Sequence, residues 1–427
     1  MRSDLFDLVS FAVLMTRCIV DVFCIWSISR VLGLPFRLSN PFIVVWIFSL
    51  PILVFRLFVG PLALIEDGFS NIYFQKAVLI EAVSLLSGNL YLVLLLLFGQ
   101  KAILRIFRPM YSEKSNVQVK YYSIVGSVFL ALGILSVLLL ASQQFGVANW
   151  ILSPRQGYQY YRSAEGHWYT LAVNCLAVGA SLILLFSGSP IAFILGVIPV
   201  TFLVYLLGSK AFFLQFAAFI IIALLFKRVR IALYLVPVIG AFAGFGMLQN
   251  FAQAGFSSSI KNVAQYFDYF RNSMLAVRLF DLQYLDYFYG EILRSSYWGS
   301  VPRALVPSKP YVYGILNLNE ILWPGLAKMG HTPAFSGGID GYADLGWWGV
   351  IIQPFIGFGT PFLAVVYVLT AAVYRDFLKL TPTPIGILAV VVAFAPGVLS
   401  FLGFPWNFIW LFCVLLALMI ARPLRKL

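Results

Sequence analysis

Residues 121–142 read YYSIVGSVFLALGILSVLLLAS and contain no charged side chain. A helix needs about 20 mainly apolar residues to cross the hydrocarbon core of a bilayer, so this stretch predicts a transmembrane helix. Similar apolar runs recur on both sides of it. They predict an all-α, polytopic membrane helical bundle of about eleven transmembrane helices, at residues 8–28, 41–60, 77–98, 121–142, 169–187, 190–208, 211–226, 231–250, 346–372, 384–402 and 405–421.

The composition of the whole chain supports the same class. Its 427 residues are 61% hydrophobic and 11% charged, whereas soluble domains contain about 25% charged residues. This composition excludes a soluble enzyme, a disordered chain and a disulfide-rich secreted module. The four cysteines all lie in apolar runs and form no C-x-x-C pair, so we interpret them as small buried apolar side chains.

Lysine and arginine outnumber the acidic residues by 29 to 16, which gives a net charge of +13. In a soluble protein this excess can indicate nucleic acid, but the inner loops of membrane proteins collect the same residues. Alternating the spans places the basic segments 99–120, 227–230 and 422–426 on one side, which we assign to the cytoplasm. We therefore predict a multi-pass membrane protein with its N-terminus outside and no nucleic-acid partner.

Two outer segments are too long to be simple turns. We predict one membrane-embedded domain over residues 1–427, with a first outer loop at 143–168 and a large helical outer loop at 251–345. Connections longer than about 12–15 residues are usually functional or disordered, and the abundance of aromatic residues argues against disorder. Within the large loop, apolar residues at helical spacing predict an amphipathic helix over about 260–293 that lies at the membrane interface.

The sequence lacks the motifs of several kinds of catalytic site. There is no G-x-x-x-x-G-K-[ST] loop for ATP, and no D-x-D pair of the kind that holds a divalent metal with a nucleotide sugar. The two histidines, His167 and His331, are too few for a His-rich metal site. The sequence therefore predicts a site without metal ion or cofactor.

Four basic residues in the outer loops lie in stretches without acidic residues, where topology does not require positive charge. They are Arg155, Arg162, Arg303 and Lys309. Arginine presents a planar fork that binds phosphate oxygens in pairs, and lysine adds a point charge. Each charge-assisted hydrogen bond contributes about 1.5–3 kcal/mol, so these residues together could hold a pyrophosphate. Acidic partners from elsewhere in the fold, which would make them structural, remain the alternative.

His331 precedes a glycine-rich segment that leads into the ninth predicted span. An imidazole can act as a general base near neutral pH, although a single histidine is more often a hydrogen-bonded structural residue. Four carboxylates in the outer segments compete with it for that role, and the sequence does not rank them: Glu165, Glu320, Asp340 and Asp344.

Other charged residues have partners at helical spacing, which favours structural ion pairs. The predicted pairs are Arg17 with Asp21, Arg271 with Asp268, Arg278 with Asp281, and Arg294 with Glu291.

These features together resemble the O-antigen polymerase family, which polymerises lipid-linked oligosaccharide repeat units. Arg155 lies eleven positions before Gly166, similar to the family's R-x10-G loop pattern. The run PRALVPSKP at 302–310 and the segment GYADLGWWG at 341–349 are similar to the family's late outer loop and its aromatic, acidic and glycine-rich approach to a late span. The family's second pattern, R-x15-G, is absent from the late-loop arginines of this chain.

The resemblance implies a GT-C-like helical glycosyltransferase in the bacterial inner membrane, with its active site on the periplasmic side. Donor and acceptor would both be undecaprenyl-pyrophosphate-linked glycans, and the transfer would invert the sugar carbon without a metal. Under this interpretation Arg155, Arg162, Arg303 and Lys309 bind the pyrophosphate, and Arg303 and His331 are catalytic. A chain-length regulator protein is a candidate partner, besides membrane lipid.

Two other functions remain open at the level of sequence. An O-antigen ligase would use the same kind of donor but transfer the glycan to lipid A-core. A lipid-linked glycan transporter, which is not an enzyme, would place charged residues along a pathway through the spans. The few charges inside the predicted spans (Arg17, Asp21, Arg56 and Glu81) favour the transporter less.

Overall fold

A computed structural model describes residues 8–36, 71–111, 119–144, 146–154, 166–187, 189–209, 269–301, 306–329, 335–356 and 359–378, with single positions between 40 and 46 and between 212 and 220. Every regular element in these ranges is a helix. The α-helices are α1 (Leu8–Val31), α2 (Asn71–Tyr111), α3 (Val119–Gln144), α4 (Val147–Leu152), α5 (Gly166–Phe186), α6 (Pro190–Leu206), α7 (Tyr269–Asp281), α8 (Glu291–Ser295), α9 (Leu316–Leu322), α10 (Ile339–Ile356) and α11 (Gly359–Leu378). Two 3-10 turns follow α8 and α9, at Ser296–Ser300 and Leu326–Met329.

Three of these helices are long and apolar enough to cross a membrane, over Val9–Val31, Ile72–Arg105 and Ser123–Gln144. A fourth span results if α10 and α11 are counted as one broken span, and α5 and α6 contain shorter apolar helices. The all-helical membrane class is thereby confirmed for the described residues. The number of about eleven spans and the GT-C-like fold stay predictions. Five predicted spans, 41–60, 211–226, 231–250, 384–402 and 405–421, lie wholly or largely outside the described residues.

The chain divides into two compact units, one drawn from Met1–Leu97 and Phe242–Thr360, the other from Phe98–Ala241 and Pro361–Leu427. In the second unit α3 packs along α5, and glycines allow the two backbones to approach closely. A Cβ atom built on Gly126 would lie 3.1 Å from the carbonyl oxygen of Gly179, and one built on Gly179 would lie 2.9 Å from that of Gly126. Small residues at such contacts are typical of helix pairs in membranes, because close backbones gain dispersion energy where lipid already surrounds apolar side chains.

In the first unit, α7 packs against α1 and α2. Leu14, Phe74, Phe270 and Met274 share one apolar cluster and are each at most 3% exposed. A second cluster joins α7 to α10 through Val277, Tyr342 and other buried residues. The apolar face of this part of the predicted amphipathic helix is therefore covered by protein. Its position at the membrane interface stays a prediction.

The predicted helix over 260–293 is also divided. Helix α7 ends at Asp281, and α8 begins only at Glu291. Between them the backbone adopts positive φ at Gln283 (56°), Tyr289 (50°) and Gly290 (94°), a conformation that no continuous helix contains. Residues 260–268 lie outside the described range.

A buried ion-pair group links α1 to α2. The Arg17 guanidinium lies 2.6 Å from Asp21 and 3.3 Å from Glu81, and the side chains of Arg17 and Glu81 are each less than 10% exposed. The predicted pair of Arg17 with Asp21 is confirmed, and Glu81 is the additional member that helical spacing could not indicate. Such mutual pairing satisfies charges that would otherwise be costly inside a membrane span.

Helix α10 is not continuous. Leu345 (φ −137°, ψ 21°) and Gly346 (φ 62°, ψ −145°) are non-helical and separate it into two pieces. The pieces fold against each other, since a Cβ atom built on Gly349 would lie 1.9 Å from the carbonyl oxygen of Gly341. The sequence predicts a single span over 346–372, and the break coincides with the start of that span. The structure adds a helical piece before it, and α10 ends at Ile356 whereas α11 begins at Gly359.

We predict that Gly349→Ala destabilises the protein, because the added methyl group would overlap the backbone of Gly341. Overpacking of this kind costs about 1–3 kcal/mol or more. The thermal unfolding midpoint of the purified full-length protein in detergent should therefore fall. Gly99→Ala is the matched control, because its Cβ would meet only a side-chain atom of Ile103 at an ordinary 3.8 Å. Equal midpoints for the two variants would contradict the close packing of the α10 pieces.

Candidate functional site

The buried carboxylate of Asp344 holds the broken helix to the segment that precedes α8. Its side chain is 2% exposed. One carboxylate oxygen accepts hydrogen bonds from the N–H groups of Gly290 (2.9 Å) and Ile292 (3.0 Å), and the other accepts from Leu293 (2.9 Å). The first N–H groups of a helix have no partner within the helix, so Asp344 supplies a cap to α8 from a distant part of the chain.

The same segment also completes the hydrogen bonding of α10 at its break. The carbonyl oxygen of Ala343 accepts from the N–H of Phe288 (3.1 Å), and that of Asp344 accepts from Tyr289 (2.9 Å). In a continuous helix both carbonyls would bond to N–H groups four residues later, beyond the break. Backbone groups freed by an interruption at membrane depth must be satisfied by protein or water, and here residues 288–289 satisfy them.

The capped helix α8 then positions the chain that carries Lys309 and Tyr313. The Ser295 hydroxyl, at the end of α8, accepts hydrogen bonds from the N–H of Gly314 (2.8 Å) and from the side-chain amide of Asn317 (3.2 Å). Gly314 has a φ of 55°, and a Cβ atom there would lie 3.3 Å from Ser296. Close packing and two hydrogen bonds thus fix residues 313–317 on α8.

Lys309, one of the predicted pyrophosphate ligands, is only 8% exposed. Its ammonium group donates a hydrogen bond to the carbonyl oxygen of Val301 (2.9 Å) and lies 4.5 Å from the centre of the Tyr313 ring. The bond to Val301 joins the two ends of the loop that contains Arg303. Lys309 therefore holds this basic loop closed and keeps its positive charge against an aromatic face.

A cavity of about 340 Å³ lies beside this assembly. Tyr313 lines it, together with residues of α8 and both pieces of α10, and the ring of the same tyrosine lies against the Lys309 ammonium. The polar side chains in its wall are Ser296, Tyr313, Asp340, Asp344 and Gln353. Its size falls in the range of about 300–1,000 Å³ that small-molecule sites occupy.

Asp340 and Gln353 meet across the break in α10. The side-chain amide of Gln353 donates a hydrogen bond to the Asp340 carboxylate. In a continuous helix these two residues would be about 20 Å apart along the axis, given a rise of about 1.5 Å per residue. The fold of the two pieces is what brings this amide to this carboxylate.

The structure distinguishes three of the four carboxylates that the sequence leaves unranked as candidate bases. Asp344 is committed to three backbone N–H groups, and Glu320 accepts from the N–H of Gly325 (2.6 Å). Asp340 is partly buried, lines the cavity and has a side-chain amide as its partner. Of these three carboxylates, Asp340 is thus the one that lines the cavity without holding three backbone N–H groups. Glu165 lies outside the described ranges.

Four of the predicted site residues lie outside the described residues, namely Arg155, Arg162, Arg303 and His331. Their roles stay predictions. In the described part of the chain, no three His, Cys, Asp or Glu side chains come together as potential metal ligands.

Of two further predicted ion pairs, the structure forms one and gives the acidic member of the other a different partner. Arg294 pairs with Glu291 as the spacing indicates. Asp281, which the spacing assigns to Arg278, instead pairs with Lys76 of α2 at 2.5 Å and accepts a hydrogen bond from Tyr342 (3.2 Å). Lys76 and Asp281 are 205 positions apart, so no local pattern in the sequence could indicate this contact.

Comparison with known proteins gives a match to two curated proteins. The O-antigen polymerases of Salmonella typhimurium strain LT2 and of Salmonella typhi are each 27% identical to this chain over 250 residues. These homologues support the resemblance to the O-antigen polymerase family. The match covers 56% of this chain and 58% of each relative, so the chain spans a little over half the length of these relatives. No protein-family model matches the chain, and no solved structure matches it.

We predict that Asp344→Asn lowers the stability of the protein by about 2–3 kcal/mol, because an amide retains one acceptor oxygen and turns an NH2 group toward backbone donors. The measurement is the thermal unfolding midpoint of the purified full-length protein. Asp340→Asn is the matched control, because it makes the same change in α10 at a carboxylate that accepts from Gln353 and from the backbone of residues 340 and 341 but does not cap α8. An unchanged midpoint in Asp344→Asn would show that the cap to α8 is dispensable.

Proposed function

We propose that this protein polymerises lipid-linked oligosaccharide repeat units into O-antigen or a related surface polysaccharide. The similarity to two O-antigen polymerases supports this proposal. The structural observation that carries it is the cavity whose wall contains Asp340 and, through Tyr313, adjoins the ammonium group of Lys309. A carboxylate able to accept a proton and a cation able to balance a leaving phosphate are the two groups that glycosyl transfer from a pyrophosphate requires.

The proposed reaction is an inverting transfer on the periplasmic face of the inner membrane. A hydroxyl oxygen of one undecaprenyl-pyrophosphate-linked repeat attacks C1 of the sugar that carries the other pyrophosphate. The bond from C1 to the phosphate oxygen breaks, and undecaprenyl pyrophosphate leaves with the bonding electrons while the hydroxyl proton passes to a base. Cleavage of the pyrophosphate-linked bond provides the driving force, so neither ATP nor a metal is required in this scheme.

The leaving pyrophosphate is assigned to the basic residues of the outer loops. Arg155, Arg162, Arg303 and Lys309 are the proposed ligands, and Arg303 is proposed to balance the charge that develops on the leaving oxygen. The bond from Lys309 to Val301 supports this assignment indirectly, because it holds both ends of the loop that contains Arg303. Lys309 can in this way contribute to the site both as a charge and as the closure of its loop.

The general base has two candidates. His331 has the more suitable ordinary pKa range for a base near neutral pH. Asp340 has the support of geometry, because it lines the cavity and receives a hydrogen bond that orients its carboxylate. We assign the acceptor hydroxyl to His331, as the sequence predicts, with Asp340 as the second candidate. A chain-length regulator protein remains a candidate partner of the whole assembly.

We predict that Arg303→Ala abolishes polymer while the protein is still expressed, because the leaving pyrophosphate loses its principal charge partner. A strain that lacks the gene is complemented with the wild-type or the variant copy, and surface glycans are separated on a gel. The expected result for the variant is lipid A-core that carries a single repeat, without the long ladder. Arg278→Ala is the matched control, since this arginine is exposed on α7. A normal ladder in Arg303→Ala would refute its assignment.

The same gel separates the alternative functions. In the strain without the gene, core with one repeat indicates a polymerase, whereas core without any repeat indicates a ligase or a transporter. Accumulation of undecaprenyl-linked polymer in that strain would identify a ligase.

We also predict that Asp340→Asn removes most of the polymer without changing the amount of protein, if Asp340 is the base. A positioned general base contributes about 100- to 10,000-fold to a rate. The rate of repeat-unit transfer is measured with purified protein, in parallel with His331→Ala. The larger loss identifies the base, and wild-type rates in both variants would exclude both residues.

A further inference from the structure

A second cavity, of about 560 Å³, also has Asp340 and Gln353 in its wall. Three residues line both cavities, namely Ile315, Asp340 and Gln353. They form a wall with one carboxylate and one amide between two spaces of ligand size. We propose that the two cavities are separate sugar subsites, one for the donor and one for the acceptor, which meet at Asp340. This inference rests on the proposed glycosyl transfer.

The two cavities differ in the groups that they present. The 340 Å³ cavity is lined mainly by apolar residues of α8 and α10, and Tyr313 adds an aromatic ring. The 560 Å³ cavity is lined by small and hydroxyl-bearing residues, among them Ser84, Ser336, Gly337 and Thr360. The hydroxyls of Ser336 and Thr360 donate to Ser273 and Pro354, and their oxygens keep lone pairs that can accept from the hydroxyls of a sugar. Two subsites of unlike chemistry fit a reaction whose two substrates present different ends of the same repeat unit.

The donor is assigned to the 340 Å³ cavity because of its position beside the basic loop. Tyr313 lines this cavity and also contacts the ammonium group of Lys309, which closes the loop at Val301. A sugar bound against Tyr313 would thus have its pyrophosphate within reach of positive charge. Placing the leaving group there leaves the opposite side of the sugar carbon to face Asp340 and Gln353.

The acceptor is assigned to the 560 Å³ cavity, because the donor is assigned to the other cavity and Asp340 lines both. Asp340, as a candidate base, would meet the acceptor hydroxyl at this shared wall.

Gln353 is the positioning residue of the proposed wall. Its amide donates to Asp340, and its Oε1 atom lies 2.8 Å from the place where a Cβ atom on Gly341 would be. The glycine therefore leaves the space in which the Gln353 side chain lies. The amide of Gln353 thereby fixes the orientation of the Asp340 carboxylate at the wall that both cavities share.

The experiment fills one cavity at a time with a leucine side chain. Ser296→Leu narrows the 340 Å³ cavity, and Gly359→Leu narrows the 560 Å³ cavity at a position where a Cβ atom meets nothing within 4 Å. Ser142→Leu is the matched control. Its hydroxyl bonds to the carbonyl of Leu139 at 2.8 Å, as that of Ser296 bonds to Leu293 at 2.7 Å, and Ser142 is an exposed residue of α3.

The assay uses purified full-length protein and two distinguishable substrates. The donor is the lipid-linked repeat unit extracted from a strain that lacks the gene. The acceptor is the same repeat released from its lipid by mild acid and labelled at the reducing end. The KM for each substrate is measured at saturating concentration of the other.

We expect Ser296→Leu to raise the donor KM about tenfold and Gly359→Leu to raise the acceptor KM about tenfold, which corresponds to the loss of about 1.4 kcal/mol of binding in each case. The other KM should stay within about twofold, and Ser142→Leu should change neither. The inference would be overturned if either variant raised both KM values equally, or if each variant raised the KM of the substrate that is assigned to the other cavity. It would also be overturned if neither variant changed a KM. If a leucine variant fails to fold, Ser296→Val and Gly359→Ala replace it with a smaller expected shift in the same direction.

The result also separates this inference from the function on which it rests. A wild-type protein that forms no product longer than one repeat from the lipid-linked repeat unit alone would refute the proposed polymerase activity itself. A wild-type protein that polymerises normally, with leucine variants that do not divide their effects between the substrates, would refute only the two subsites.

Discussion

A buried carboxylate needs hydrogen-bond donors, and a buried helix start needs acceptors. Asp344 meets both requirements at once, because its two oxygens accept from the N–H groups of Gly290, Ile292 and Leu293. The contact joins the broken helix α10 to the short helix α8, more than fifty positions earlier in the chain. From α8 the connection continues through Ser295 to residues 313–317, and from there to Lys309. One capping interaction that contributes no chemistry itself thus begins the series of contacts that leads to Lys309.

The interruption of α10 has a second consequence. In a straight helix Asp340 and Gln353 would lie about 20 Å apart along the axis, whereas the two folded pieces bring them into hydrogen-bond contact. Gly341 and Gly349 make this possible, because neither position has room for a side chain. Membrane proteins commonly form polar sites at such interruptions, since irregular backbone at membrane depth is tolerated where protein or a cavity satisfies it. Here the satisfied carbonyls of Ala343 and Asp344 and the two adjoining cavities provide that setting.

The charged residues of the first unit divide into two kinds. Arg17, Asp21 and Glu81 pair with one another among α1 and α2, and Lys76 pairs with Asp281. These contacts link helices that are distant in sequence and are consistent with a structural role. Asp340 differs from them, because its side-chain partner is the neutral amide of Gln353 and it lines a cavity. This difference in partner and surroundings is the physical reason for keeping Asp340 beside His331 as a candidate base and for leaving the ion-paired carboxylates out of the proposed chemistry.

The sequence by itself determined the membrane class, since an unbroken apolar run must be buried in lipid or in other helices whatever its neighbours are. It also indicated local pairs, such as Arg17 with Asp21 and Arg294 with Glu291, because helical spacing places their side chains on one face. Only the tertiary structure decided that Asp344 is a cap, that Asp281 belongs to Lys76, and that the apolar face of α7 is covered by protein. These contacts join residues tens to hundreds of positions apart. No periodicity along the chain encodes such contacts, and they exist only once the helices have packed.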